Sequence, residues 1–170
     1  LVTETSGIKG KMESREVVII GSGPAALRAA IACADGGTVP LMIDEFGVGS
    51  ASGSHPVAGL AASIDEIDSK SHEEDTLALG GDTCDEEVVS RTCNQGVKTL
   101  AELERWGLAL RRREGGLPHA SAAPGHKTPR LTGCGDSTFQ EVTRVLEEQV
   151  IKRGIQRNAD SIPLCIISDN

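Results

Sequence analysis

A short β-branched run, Glu16-Val17-Val18-Ile19-Ile20, stops abruptly at Gly21, the pattern of a buried strand. From Pro24 the apolar period changes. Leu27, Ala30, Ile31 and Ala34 recur at helical spacing up to Asp35, and Gly36-Gly37 ends the run. Pro24 suits the first helical turn, where its missing N–H has no partner to lose. Val39-Pro40-Leu41-Met42-Ile43 predicts a second strand, with Pro40 near its start or on a sheet edge. Strand, helix and strand in so short a span predict a right-handed βαβ unit.

Three further helix starts carry capping-box spacing: Ser71-x-x-Glu74, Thr83-x-x-Glu86 and Ser137-x-x-Gln140. The second predicts a helix over 85–106, with a break near Gly96 and with Val88, Val89, Val97, Leu100 and Leu103 on its apolar side. The third predicts a helix that buries Phe139, Val142, Val145, Leu146 and Val150 and stops at Gly154. Residues 108–116 suggest a hairpin, and 117–130, with Pro118, Pro124 and Pro129, an irregular loop. Residues 162–168 predict a last strand able to join the first sheet. The fold class is therefore α/β: a mostly parallel, Rossmann-like sheet with a helical insertion and a small hairpin.

Composition narrows the function. The chain has 170 residues, 17 basic against 25 acidic, for a net charge of −8, which argues against nucleic acid or an anionic membrane surface as partner. No apolar run approaches the roughly 18 residues of a membrane span. Cys33, Cys84, Cys93, Cys134 and Cys165 are scattered without a C-x-x-C pair, so no zinc or iron–sulfur site is readable. That usage fits reduced thiols and a cytoplasmic location. Aromatic residues are scarce, which leaves the core to Val, Ile, Leu and Ala. Residues 1–14 read as a flexible extension, and the chain as a piece of something longer.

The chemistry starts at Gly21-Ser22-Gly23-Pro24-Ala25-Ala26, which follows a strand and opens a helix. Gly21 suits the tight turn, Gly23 close approach to a pyrophosphate, and Ala26 close helix–strand packing. Free amides at the helix start face the anion. Asp44, followed by Glu45, ends the second strand at the place where an acid bonds ribose hydroxyls. An acid there disfavours NADP and does not separate FAD from NAD.

The rest of the chain separates them. From about Arg15 onward it resembles the FAD domain of the succinate dehydrogenase, fumarate reductase and L-aspartate oxidase flavoproteins. The residues that carry the resemblance stand in the family's order: the run from Val18 through Ile31; His72-Glu73-Glu74-Asp75-Thr76-Leu77 with Gly80-Gly81-Asp82; Asp85-Glu86-Glu87-Val88-Val89 with Glu102-Leu103-Glu104-Arg105-Trp106-Gly107; Gly125-His126 with Arg130; and Asp136-Ser137-Thr138. In the small-residue stretch 49–63, Ser54-His55-Pro56-Val57-Ala58 and Gly59-Leu60-Ala61-Ala62 resemble the segment whose histidine carries covalent flavin in one branch of the family.

The resemblance implies FAD as cofactor, with Ser54, His55, Gly59 and Leu60 beside the phosphate turn among its contacts; His55 is the attachment point if the chain follows the covalent branch, whereas the aspartate oxidase branch holds FAD without that bond. It implies His126 and Arg130 as substrate-side or phosphate contacts. His72 reads as a buried or hydrogen-bonded histidine at a helix start, His119 as surface, and Arg111-Arg112-Arg113 as a solvated face. As activity it implies succinate–fumarate interconversion, with an iron–sulfur protein and, through it, membrane anchor subunits as partners. It also implies a peripheral position on the cytoplasmic face of the inner membrane. The alternatives are an L-aspartate oxidase-like enzyme and a truncated, non-catalytic nucleotide-binding module. The family's capping domain and C-terminal helical domain have no counterpart in 15–170, so the resemblance places no catalytic residue in this chain and predicts no turnover by the chain alone.

Overall fold

The computed structural model describes residues 13–45, 47, 59–64, 66–159 and 161–167. Strand β1, Val18–Ile20, leads through Gly21 into helix α1, Pro24–Asp35, and returns as β2, Leu41–Ile43. The two strands are parallel, with Val18 opposite Leu41 and Ile20 opposite Ile43, which makes the expected βαβ unit. α1 has the predicted bounds because Pro24 opens it and Gly36 closes it, the Gly36 amide donating to the Ala32 carbonyl at 3.0 Å.

Beyond β2 come the short strand β3, Leu60–Ala61, and the helices α2, Glu66–Gly80, and α3, Glu86–Arg105, with a single 3₁₀ turn over Gly81–Thr83 between the helices. Strand β4, Leu131–Thr132, then pairs antiparallel with β3. Helix α4, Thr138–Lys152, leads into β5, Gln156–Asn158. The main sheet runs in the order β1-β2-β5, all parallel, beside the two-stranded β3-β4 sheet.

The core lies between the sheet and the helices: Leu27, Ala30 and Ile31 of α1 meet Val142, Val145, Leu146 and Val150 of α4, with Met42 beneath and Leu100 and Leu103 of α3 alongside. The Leu, Ile, Val and Met side chains among these are each worth roughly 1.5–3 kcal/mol when fully buried. At the edge of this packing Trp106, just past α3, is approached by two guanidinium groups. Arg28 and Arg153 each stand 5.7 Å from its ring centroid, held there by ion pairs to Glu102 and Asp35.

Several expectations are corrected. The third strand of the main sheet is Gln156–Asn158, not 162–168; residues 161–167 form no strand, and Leu164, Ile166 and Ile167 are exposed. Polar residues suffice at 156–158 because β5 is an edge strand, bonded on one side only. β1 is an edge strand as well. Its alternating side chains send Ile19 into the core and leave Val18 and Ile20 about half exposed.

Ser71 lies inside α2, whose start is five residues earlier, and its hydroxyl serves a different partner described below. α3 is capped by Asp85, which accepts from the Val88 amide at 3.0 Å, while Thr83 bonds back to the Gly80 carbonyl. The helix runs unbroken through Gly96. Ser137 does stand at the start of α4 but makes no side-chain cap. Thr138, the first residue of α4, instead fixes the turn before the helix, accepting from the Cys134 amide and donating to the Gly135 carbonyl, and it is buried where Phe139 is only partly so. The small hairpin is present but runs over 111–119: Arg112 and Pro118 form an antiparallel bridge, flanked by bonds from the Arg113 amide to the Leu117 carbonyl and from the His119 amide to the Arg111 carbonyl.

Candidate functional site

The turn after β1 is built to leave backbone open. Gly21 adopts φ 119°, a left-handed conformation that a side chain would strain, and its amide donates to the Ile43 carbonyl at 2.8 Å. Gly23 is the N-cap of α1 and offers no capping side chain. Ser22 is buried and donates to the Gly47 carbonyl at 3.0 Å, fixing the turn against the segment after β2. Pro24, Ala25 and Ala26 follow as the first turn of α1, whose amide dipoles point back at the opening.

Asp44 stands at the carboxyl end of β2. Its amide donates to the Asn158 carbonyl and its carbonyl accepts from the Ser161 amide, both at 3.1 Å, so the backbone is fixed on both sides. Its Oδ2 is buried and, among the described residues, has no hydrogen-bond partner. A buried carboxylate oxygen without a donor is costly, and its natural complement is a ligand hydroxyl. Asp44 also lines a cavity of about 160 Å³ together with Gly21, Ser22, Met42, Gly47, Arg157 and Ala159. The cavity thus opens on the phosphate turn and the unsatisfied acid at once, at the carboxyl end of the sheet, where open α/β sheets bind ligands. Glu45 is exposed and does not line it.

The second group of expected residues is brought together by the small sheet. β3 follows Gly59, and β4 follows Arg130 directly. The approach is close enough that a Cβ on Gly59 would lie 2.7 Å from the Thr132 carbonyl and 2.9 Å from Leu131 Cγ, so only glycine fits. Leu60 pairs with Thr132 and is partly buried. Ser54 and His55 lie outside the described residues.

Arg130 is fully buried, and each of its five N–H groups has a partner. Nε donates to Asp68 at 2.9 Å and Nη1 to Asp75 at 2.6 Å. Nη2 donates to Ser71 and Thr128 at 2.8 and 3.2 Å. The remaining Nη1 proton goes to His126 Nδ1 at 3.2 Å. Because a guanidinium only donates, His126 Nδ1 must accept, and the hydrogen-bond network assigns its ring proton to Nε2.

Burial alone would lower the Arg130 pKa, but the hydrogen bonds and charges of Asp68 and Asp75 prevail and raise it. Reciprocally, the hydrogen bond from Arg130, with the Lys127 amide at 2.9 Å, pulls Asp75 down to about 2. His72 is buried with Nδ1 3.3 Å from Ser63 Oγ and its ring 5.4 Å from that of His126. Burial, and then the charge of Arg130, lower its pKa, so it is held neutral. His119 is exposed, as expected. With its donors turned inward, Arg130 ties α2 to the loop before β4.

Arg157 was missed by sequence reasoning, which placed the strand at 162–168. The signal that could have found it is the polar run Gln156-Arg157-Asn158 directly after Gly154 and Ile155, which end α4. Among the described residues no cluster of His, Cys, Asp and Glu could hold a metal ion, and no helix is long and apolar enough to cross a membrane.

The profile of a protein family described as the FAD binding domain matches residues 16–167. The chain belongs to that family. This FAD-binding domain is 33% identical over 138 residues to the L-aspartate oxidase 2-a, chloroplastic, of Nicotiana tabacum, a match covering 81% of the chain and 21% of the relative. It is also 33% identical over 147 residues to a fumarate reductase (CoM/CoB) subunit from Methanothermobacter marburgensis, covering 83% of the chain and 27% of that protein. The chain therefore spans about a fifth to a quarter of the length of these relatives. Its fold is that of Mycobacterium smegmatis Sdh1 in complex with UQ1, with a TM-score of 0.79 at 23% identity, over 86% of this chain and 27% of that one. The residues of the cradle fit the cofactor of the family: glycine where the backbone must approach phosphate, and at Asp44 an acceptor that lacks a donor.

Proposed function

We propose that this chain is the FAD-binding portion of a flavoprotein that exchanges hydride with a four-carbon dicarboxylate. The observation that carries the reading is the unpartnered Asp44 Oδ2 beside the Gly21 turn, in a chain of the FAD binding domain family. Bound FAD would supply the hydride acceptor, its N5. Gly21, Ser22 and Gly23 would cradle the pyrophosphate with Pro24, Ala25 and Ala26 at the helix start, and Asp44, followed by Glu45, would take the ribose hydroxyls. Gly59 and Leu60 would border the flavin, with Ser54 and His55 in the segment that leads to them. His55 would be the attachment point if the flavin is covalent. His126, its Nε2–H oriented by Arg130, would donate toward the substrate or phosphates. Arg130 itself would act through the loop it holds.

Succinate–fumarate interconversion is the first reading, supported by the Ser54-His55 resemblance. With it come an iron–sulfur protein and its membrane anchors as partners. L-aspartate oxidation is the second, favoured by the 33% identical tobacco relative and by His72-Glu73-Glu74-Asp75-Thr76-Leu77. The test is to express the chain with its downstream sequence, precipitate the protein in acid, and assay flavin bleaching by succinate and by L-aspartate. Flavin fixed in the pellet and bleaching by succinate support the first reading. Free flavin and bleaching by L-aspartate support the second. Failure to retain any flavin overturns both and leaves the non-catalytic module.

A further inference from the structure

We propose that Arg157 is a specificity-determining residue of the Asp44 cavity, offering its guanidinium plane to the adenine ring of the nucleotide. The inference deepens the FAD reading and rests on it for the orientation of the ligand. Arg157 lies on β5 opposite Met42, and both line the cavity whose other walls are Gly21, Ser22, Asp44, Gly47 and Ala159. Glu147 of α4, which does not line the cavity, accepts from Arg157 Nη1 at 3.0 Å and restricts the group.

The cavity is thus lined both by an acid whose Oδ2 has no partner among the described residues and by a residue that carries a planar cation. The acid suits the ribose diol. The cation suits a flat π-system, on which a guanidinium stacks readily. At about 160 Å³ the cavity matches one purine or one ribose in size, and with the Asp44 acid beside the Gly21 turn this favours the adenosine end. An arginine at this place would also suit a 2′-phosphate, as in NADP sites, but Asp44 Oδ2 in the same cavity opposes that charge.

Calorimetric titration of the full chain with adenosine, ADP and 2′,5′-ADP tests this, using wild type, Arg157→Leu and Arg157→Lys. Far-UV circular dichroism confirms that the variants fold. The expected result is that Arg157→Leu weakens adenosine and ADP alike by about tenfold, and that Arg157→Lys, which keeps the charge and loses the plane, does not restore them. A loss confined to ADP, with adenosine unchanged or with Arg157→Lys restoring binding, would mean a phosphate contact and overturn the proposal. So would tighter binding of 2′,5′-ADP than ADP, or a wild type that binds no ADP. ADP binding that responds to Arg157→Leu in a chain that takes no FAD would sustain the adenine assignment and overturn the flavin reading instead.

Discussion

Replacing Arg130 with methionine removes every hydrogen bond of a fully buried guanidinium while roughly keeping its length. Two acids lose the guanidinium at once: Asp75, with 1% of its side chain exposed and only the exposed Lys127 ammonium at 3.5 Å still beside it, and Asp68, with 18% exposed. Breaking a buried ion pair by deleting one member costs about 3–5 kcal/mol, because the remaining charge stays desolvated. For a domain of this size each kcal/mol moves the melting temperature by about 2–4 °C, so Arg130→Met should melt roughly 6–20 °C lower. Arg130→Lys should recover only part of this, since an ammonium cannot reach Asp68, Asp75, Ser71, Thr128 and His126 together. The assay is urea unfolding followed by far-UV circular dichroism, with midpoint and slope compared across variants. The triple change Arg130→Met, Asp68→Leu, Asp75→Leu should regain much of the loss, because a charge-free cluster has nothing left to desolvate. A single Arg130→Met variant within about 1 kcal/mol of wild type would refute the reasoning, since that is the range of an exposed ion pair.

Other substitutions probe the remaining elements. Asp75, held at about 2 by Arg130, contributes stability that is complete above its ordinary pKa of about 3.9 and lost as pH falls toward 2; Asp75→Asn should flatten the acid limb of a stability–pH curve. His72 has a lowered pKa, so the unfolded chain binds the proton first and stability should decline as pH drops below about 6.5. His72→Gln should remove that part of the slope. Gly59→Ala forces a Cβ to 2.7 Å from the Thr132 carbonyl, which should destabilise by about 1–3 kcal/mol and speed hydrogen exchange at the Ala62 amide, the donor to Arg130 O. Asp44→Ala should act with opposite signs, stabilising the nucleotide-free chain by about 1 kcal/mol through loss of an orphaned acceptor while weakening FAD binding.

The local elements were legible because their determinants are local. Pro24 and Gly36 bound α1, and the β-branched run before Gly21 fixes β1, so the βαβ unit and the position of Asp44 could be read directly. The small sheet could not be read: β3 and β4 are two residues each, joined across a span of about 70 positions by glycine fit rather than by a hydrophobic pattern. The Arg130 cluster was illegible for a similar reason. Its acids lie 55 and 62 positions away on α2, and nothing in their own neighbourhood marks them as partners. Ser71 shows the danger of reading spacing alone, since its capping-box pattern falls in mid-helix and its hydroxyl bonds Arg130 instead. β5 was hidden by its own polarity beside the more apolar 162–168, and Arg157 with it.

Trp106 is the single tryptophan of a chain with no tyrosine, so nearly all its near-ultraviolet emission originates from one ring. That ring has both Arg28 of α1 and Arg153 beyond α4 within 5.7 Å of its centroid, which makes it an intrinsic optical gauge of whether those helices are docked. Separation of α1 from α4 would unstack both guanidinium groups and change the emission before the secondary structure is lost. A flavin seated beyond the first turn of α1 would drain the same signal by energy transfer. Folding and cofactor loading can therefore be followed in the unlabelled chain, by separate wavelengths of one fluorimeter trace.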